Sequence, residues 1–180
     1  MKWRLPRGES MERFDVRRGL VKDVTANGGL GELAREFFDN VETVDENSMS
    51  ASHGIMTAIE ARYENGAIIV DVTNVPPDFD DPDAMKSAMD ARKRWTKFLD
   101  QATGYNSKQR GDKAKEWAKK ATKAKSAISA TRHFMGMTEG IPEDKISQAN
   151  TLIKEIETLL ASNDNTKAAG RAGKLNKLFD

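Results

Sequence analysis

The chain has 180 residues, no cysteine, 38% hydrophobic and 32% charged residues, and a net charge of +1. Such a length allows one compact domain or a small domain with an extension, and the composition is that of a folded, surface-rich protein. Disulfides and thiolate chemistry are excluded, and the absence of any run of about 18 apolar residues excludes a transmembrane helix.

The first ten residues, MKWRLPRGES, are basic and lack the apolar core of a secretory signal. With the lack of cysteine, this points to a cytoplasmic protein. The ten residues read as a flexible arm, and Met11 is a second candidate start. Beyond it, Phe14, Val16 and Leu20 alternate with Arg13, Asp15 and Arg17 as in a strand.

A helical pattern follows, with Leu30, Leu33, Ala34, Phe37 and Phe38 on one stripe. At its start, Gly29-Leu30-Gly31-Glu32-Leu33-Ala34 matches G-x-G-x-x-A, the turn that brings a dinucleotide phosphate to a helix N-terminus. The preceding run Val21-Lys22-Asp23-Val24 is not the buried apolar strand that such a site needs. A plain loop and helix entry is the better reading. Residues 41–50 then read as one strand with an acidic outer surface, and His53-Gly54 as a turn.

Residues 55–75 hold the clearest local structure. Asn65-Gly66 is the favoured pair for a type I′ turn, in which both residues need positive φ. Centring the turn there pairs Glu64 with Ala67. One face then carries Tyr63/Ile68, Ala61/Val70, Ile59/Val72 and Thr57/Asn74. The other carries Arg62/Ile69, Glu60/Asp71, Ala58/Thr73 and Met56/Val75. The apolar first face needs a cover.

That cover is expected from the next element. Asp81 as N-cap, Pro82 at the first helical position and Gly104 beyond the end bracket a helix over 82–103. Met85, Ala88, Met89, Trp95, Phe98, Leu99 and Ala102 form its apolar stripe. A longer helix over about 108–135 carries Ala114, Trp117, Ala121, Ala124, Ile128, Thr131 and Met135 at heptad spacing, as in a coiled coil. A third helix, about 142–162, repeats the spacing with Ile146, Ala149, Ile153, Ile156 and Leu160. The two are expected to form an antiparallel hairpin, followed by a short helix from Thr166 to Leu178.

Candidate chemistry is sparse. Glu60 and Asp71 face each other, an arrangement open to acid–base work or cation binding but equally to a solvated face, with Arg62 placed diagonally to relieve Asp71. His53 and His133, the only histidines, lack partners at metal-ligand spacing. Residues 168–175, AAGRAGKL, imitate a phosphate-binding loop. They have alanine for the first glycine, leucine for the Mg²⁺-binding hydroxyl and no preceding strand. Close packing of the last helix is the expected use of these glycines. No catalytic residue, cofactor or metal is assigned.

Charge is the stronger signal. Residues 1–85 hold 9 Lys and Arg against 17 Asp and Glu, residues 86–132 hold 14 against 4, and residues 133–180 hold 6 against 7. Arg92, Lys93, Arg94, Lys97, Lys108, Arg110, Lys113, Lys119, Lys120 and Lys123 offer phosphate contacts, interleaved with Trp95, Tyr105 and Trp117. The same charge is open to internal neutralisation by the acidic amino-terminal half.

At Arg13-Phe14-Asp15-Val16-Arg17-Arg18-Gly19, at the hairpin and at Lys174-Leu175-Asn176-Lys177-Leu178-Phe179, the chain resembles an uncharacterised family of small archaeal proteins, whose function is unknown. The layout is also similar to the TATA-box-binding-protein-like architecture, one strand short of it, a likeness that establishes no function.

The expected fold is therefore α+β. A β-α-β-β-β sheet domain with its packing helix spans 11–103, and a helical hairpin with a short last helix spans 104–180. The expected function is non-enzymatic association of the basic segment, 86–132, with RNA, DNA or a ribonucleoprotein. The alternatives are homo-oligomerisation through the alanine-rich hairpin and small-ligand binding in a pocket between sheet and helix.

Overall fold

A computed structural model describes residues 11–180; the assignments made for residues 1–10 and for the start of the chain lie outside the described residues. The chain divides into a first unit ending at Lys113 and a second from Ala114 to Asp180.

The first unit is built on five antiparallel strands. They are β1 (Met11–Asp15), β2 (Asp39–Glu42), β3 (Ser48–His53), β4 (Met56–Glu64) and β5 (Ala67–Asn74), in the spatial order β1-β5-β4-β3-β2. The hairpin register is as expected from Glu64↔Ala67 through Ala58↔Thr73, with Asn65 and Gly66 at φ 50° and 75°. Beyond Ala58 it shifts. Met56 pairs with Asn74, so Thr57 forms a bulge and the expected Thr57/Asn74 and Met56/Val75 pairs do not exist.

Three further local expectations are corrected. Leu20 is not on the first strand. Arg17 N–H bonds Thr103 O at 2.9 Å, which draws the chain off the sheet, and Leu20–Ala26 forms a helix, α1. The strand expected over 41–50 is two strands, β2 and β3. Asp45 Oδ1 accepts from the Asn47 N–H (2.8 Å) and the Ser48 hydroxyl (3.1 Å), turning the chain between them. The turn expected at His53-Gly54 begins one residue later, because His53 still pairs with Met56. With β2 counted, the sheet has five strands, one more than the four expected.

Helices cover one face of this sheet. α2 (Leu30–Arg35) buries Leu30 and Ala34, and Phe38 is buried just beyond its end. α3 (Pro82–Thr103) starts at Asp81, whose side chain accepts from Asp83 N–H, and ends at Gly104 with φ 73°. Its Phe98 is fully buried and meets Phe38 edge-on at 5.1 Å. Met89, expected on the stripe, is 58% exposed, and Ala91 is buried instead. Tyr63 O–H donates to Ala102 O at 2.7 Å, tying the sheet to the end of α3.

α4 (Ser107–Met137) contributes its first turns to this unit and the rest to the second. In the second unit α4, α5 (Glu143–Ala161) and α6 (Asn165–Lys177) share a core of Ala124, Ala127, Ile128, Ala149, Ile153, Ile156, Ala168, Ala172 and Leu175. The alanine-rich seam is thus buried within the chain from Ala124 onward, whereas Ala114 is exposed. Buried Asn165 donates to Trp117 O at 3.1 Å and fixes the start of α6 against α4.

Candidate functional site

Helical periodicity separates the ten basic candidates. In the first unit Arg92, Lys93, Lys97 and Lys108 are exposed. Arg94 is committed to Asp90 (2.9 Å) and to Phe37 O (3.3 Å). Arg110 is withdrawn from any ligand, being only 5% exposed. It pairs with Asp100, donates to Tyr105 O (2.6 Å) and Ser107 Oγ (3.0 Å), and lies over the Phe14 ring. Lys113 is half-buried beside Tyr105, 5.8 Å from its centroid.

In the second unit Lys120 is half-buried and bonds Thr166 Oγ1 at 3.3 Å. Lys119 and Lys123 are exposed, and Lys115 stands one turn before them on the same side of α4. None of these three has an ion pair among the described residues. Trp117 is half-buried and so is no open stacking platform.

A second basic surface escaped the sequence reading because its cations are spread over two helices. An open groove of about 750 Å³ between α5 and α6 is lined by Lys154, Lys167, Arg171 and Lys174, with Thr151 and Thr158. Lys167, Arg171 and Lys174 recur at helical spacing, the signal that would have found it. Arg171 pairs with Glu155 (3.2 Å) and Lys167 with Asp164 (3.1 Å). Gly170 and Gly173 lie in the helix with nothing within 4 Å of an added Cβ, so close packing does not explain them.

The acidic candidates Glu60 and Asp71 are both half-buried. Glu60 opposes Asp71 as expected, but Arg62 bonds Glu64 (2.9 Å) and not Asp71. His53 sits between two carboxylates. Its Nδ1 lies 3.0 Å from Asp39 Oδ2, too poorly angled for a hydrogen bond, and its Nε2 lies 3.9 Å from Asp90 Oδ2. The Arg94 hydrogen bond and charge, with the nearby His53, hold the Asp90 carboxyl below the usual range. His133 is exposed on α4. Among the described residues no group of three or more His, Cys, Asp or Glu is placed to hold a metal ion.

The G-x-G-x-x-A turn serves packing. The Leu30 amide donates to Glu46 O at 2.8 Å, which occupies the helix entry with a backbone carbonyl. A Cβ on Gly31 would overlap Thr43 Cγ2. Elsewhere in this unit, a cavity of about 200 Å³ opens between the covered face of the sheet and α3, with Glu12, Asn74 and Arg92 as its charged and amide side chains and Trp95 as its aromatic wall.

Among the described residues no helix is long and apolar enough to cross a membrane. The chain matches none of the curated proteins and no solved structure. A family model described as a domain of unknown function, DUF5611, matches residues 11–116, which include the whole sheet and α3, and the chain belongs to that family.

Proposed function

We propose that this is a cytoplasmic, non-enzymatic protein whose basic helical segment, 86–132, associates with nucleic acid or a ribonucleoprotein. The observation that carries the reading is the row Lys115, Lys119, Lys123. It is exposed, on one side of one helix, and without carboxylate partners among the described residues. Such a row matches a phosphate backbone and neutralises it by releasing counterions. The whole second unit favours a polyanion, with 12 Lys and Arg against 8 Asp and Glu between Ala114 and Asp180. Subunit pairing through the alanine seam is the weaker reading, since Ala124, Ile128 and Thr131 are consumed in the chain's own core.

The test is fluorescence anisotropy with generic RNA and duplex DNA over about 50 to 200 mM salt. Binding should weaken steeply with salt. A Lys115→Gln/Lys119→Gln/Lys123→Gln variant should bind more weakly on every sequence and flatten the salt slope by about one per lysine that touches phosphate. No binding at the lowest salt, or an unchanged slope in the variant, would refute the assignment.

A further inference from the structure

The cavity between the sheet and α3 has a composition that neither the fold nor the basic surface explains. Three separate elements place its polar groups. Glu12 lies on β1 opposite Val70, on the helix-covered face of an edge strand. Asn74 ends β5 on the same face, two residues beyond Val72. Arg92 and Trp95 are three apart on α3, hence on one side of it. Met56, Val70 and Val72 supply apolar wall between them.

The side chains of Glu12, Asn74 and Arg92 make no hydrogen bond or ion pair among the described residues. Five other described arginines of this unit do, while Arg17 and Arg18 do not. Arg13 pairs with Asp15, Arg35 with Glu32, Arg62 with Glu64, Arg94 with Asp90 and Arg110 with Asp100. A carboxylate and a guanidinium that line one small cavity, yet do not close on each other, leave two opposite charges to be matched by whatever enters.

We propose that the juxtaposition of Glu12, Asn74, Arg92 and Trp95 around this cavity makes a binding site for a small zwitterion with an apolar body, of the α-amino acid class. Arg92 takes the carboxylate, for which the planar guanidinium fork is suited. Glu12 takes the ammonium, and the Asn74 amide serves either group. The apolar body lies against Met56, Val70, Val72 and Trp95. A purely cationic or purely anionic ligand would leave Arg92 or Glu12 facing an unmatched group. Size narrows the class further. The roughly 200 Å³ available corresponds to about seven waters and lies below the roughly 300–1,000 Å³ of drug-sized sites. A leucine-sized molecule fits; a nucleotide or peptide does not.

The site shares no residue with the lysine row on α4, so the two readings fail separately. The test is calorimetric titration of the full chain with L-leucine and L-methionine. Isoamylamine, 4-methylpentanoate and glycine serve as probes lacking the carboxylate, the ammonium and the apolar body. One saturable site is expected for the amino acids, with binding about tenfold or more weaker for each truncated probe. Glu12→Gln and Arg92→Gln should each lose about tenfold or more while keeping the wild-type unfolding midpoint, because both side chains are exposed and unpaired. Val72→Phe should block the cavity, and the Trp95 indole N–H resonance should move on titration of the wild type. Absence of saturable binding at millimolar amino acid, equal binding of the amine or the acid alone, or undiminished binding in both charge variants would each overturn the proposal.

Discussion

Arg110 carries a positive charge into the first unit, and its neighbours account for it. Asp100, the Tyr105 carbonyl and Ser107 Oγ take its donors, and the Phe14 ring lies beneath it. Truncation strands those acceptors. Arg110→Met should cost about 2–3 kcal/mol in urea unfolding, less than a fully buried pair because Asp100 can rehydrate. Gly31 is a second residue decided by one neighbour. Gly31→Ala should destabilise by about 1–3 kcal/mol through overlap with Thr43, and Gly31→Ala/Thr43→Ala should recover most of that loss. Asp90 sets a pH dependence. Its depressed folded value means that the unfolded chain takes up the proton first as pH falls. Its contribution is therefore present at neutral pH and lost through the acid carboxylate range. Melting curves against pH should show a shallower acid limb for Asp90→Asn, and high salt should shrink the difference, because the group is exposed. In the sequence Arg110 was indistinguishable from a surface cation, since its burial depends on Phe14 and Asp100, both outside its own helix.

Elements with strong local chemistry were legible. Asn65-Gly66 sets the β4–β5 register, and Asp81, Pro82 and Gly104 set the limits of α3. Short elements with no clear apolar pattern were not, unlike β1, marked by Phe14, and α2, marked by Leu30, Leu33 and Ala34. α1 and β2 are too short for periodicity to tell them from loop or strand, and the Asp45 turn that divides residues 41–50 is formed by side-chain bonds. Two predictions belong to this scale. Gly170→Ala and Gly173→Ala should each raise the melting temperature, by about 0.5–1 kcal/mol of stability, because each adds helix propensity and meets no atom. Tyr63, whose burial pushes its hydroxyl pKa well up, is neutral in the fold above the pH at which the unfolded chain ionises. Stability is thus undiminished below about pH 10 and falls as pH rises beyond it. Tyr63→Phe should flatten that alkaline limb while losing about 1 kcal/mol at neutral pH with the bond to Ala102 O.

At the scale of the molecule, each unit has its own core. Phe98 anchors the first, while Ile153 and Ile156 lie in the second. Phe98→Ala should lower hydrogen-exchange protection at Ile68 and Val70 by about 3–5 kcal/mol and leave Ile153 and Ile156 unchanged. An equal loss in both units would show that they unfold together. The sequence by itself determined the α+β class, the hairpin register, the limits of α3 and the excess of charge in 86–132, because turn chemistry, capping and periodicity act over a few residues. Only the tertiary structure decided which cations stay in water, how many strands the sheet has and which side chains share a cavity. Glu12 and Arg92 come from opposite ends of the first unit, and nothing in either neighbourhood marks the other. Strand pairing and the docking of α3 bring them together.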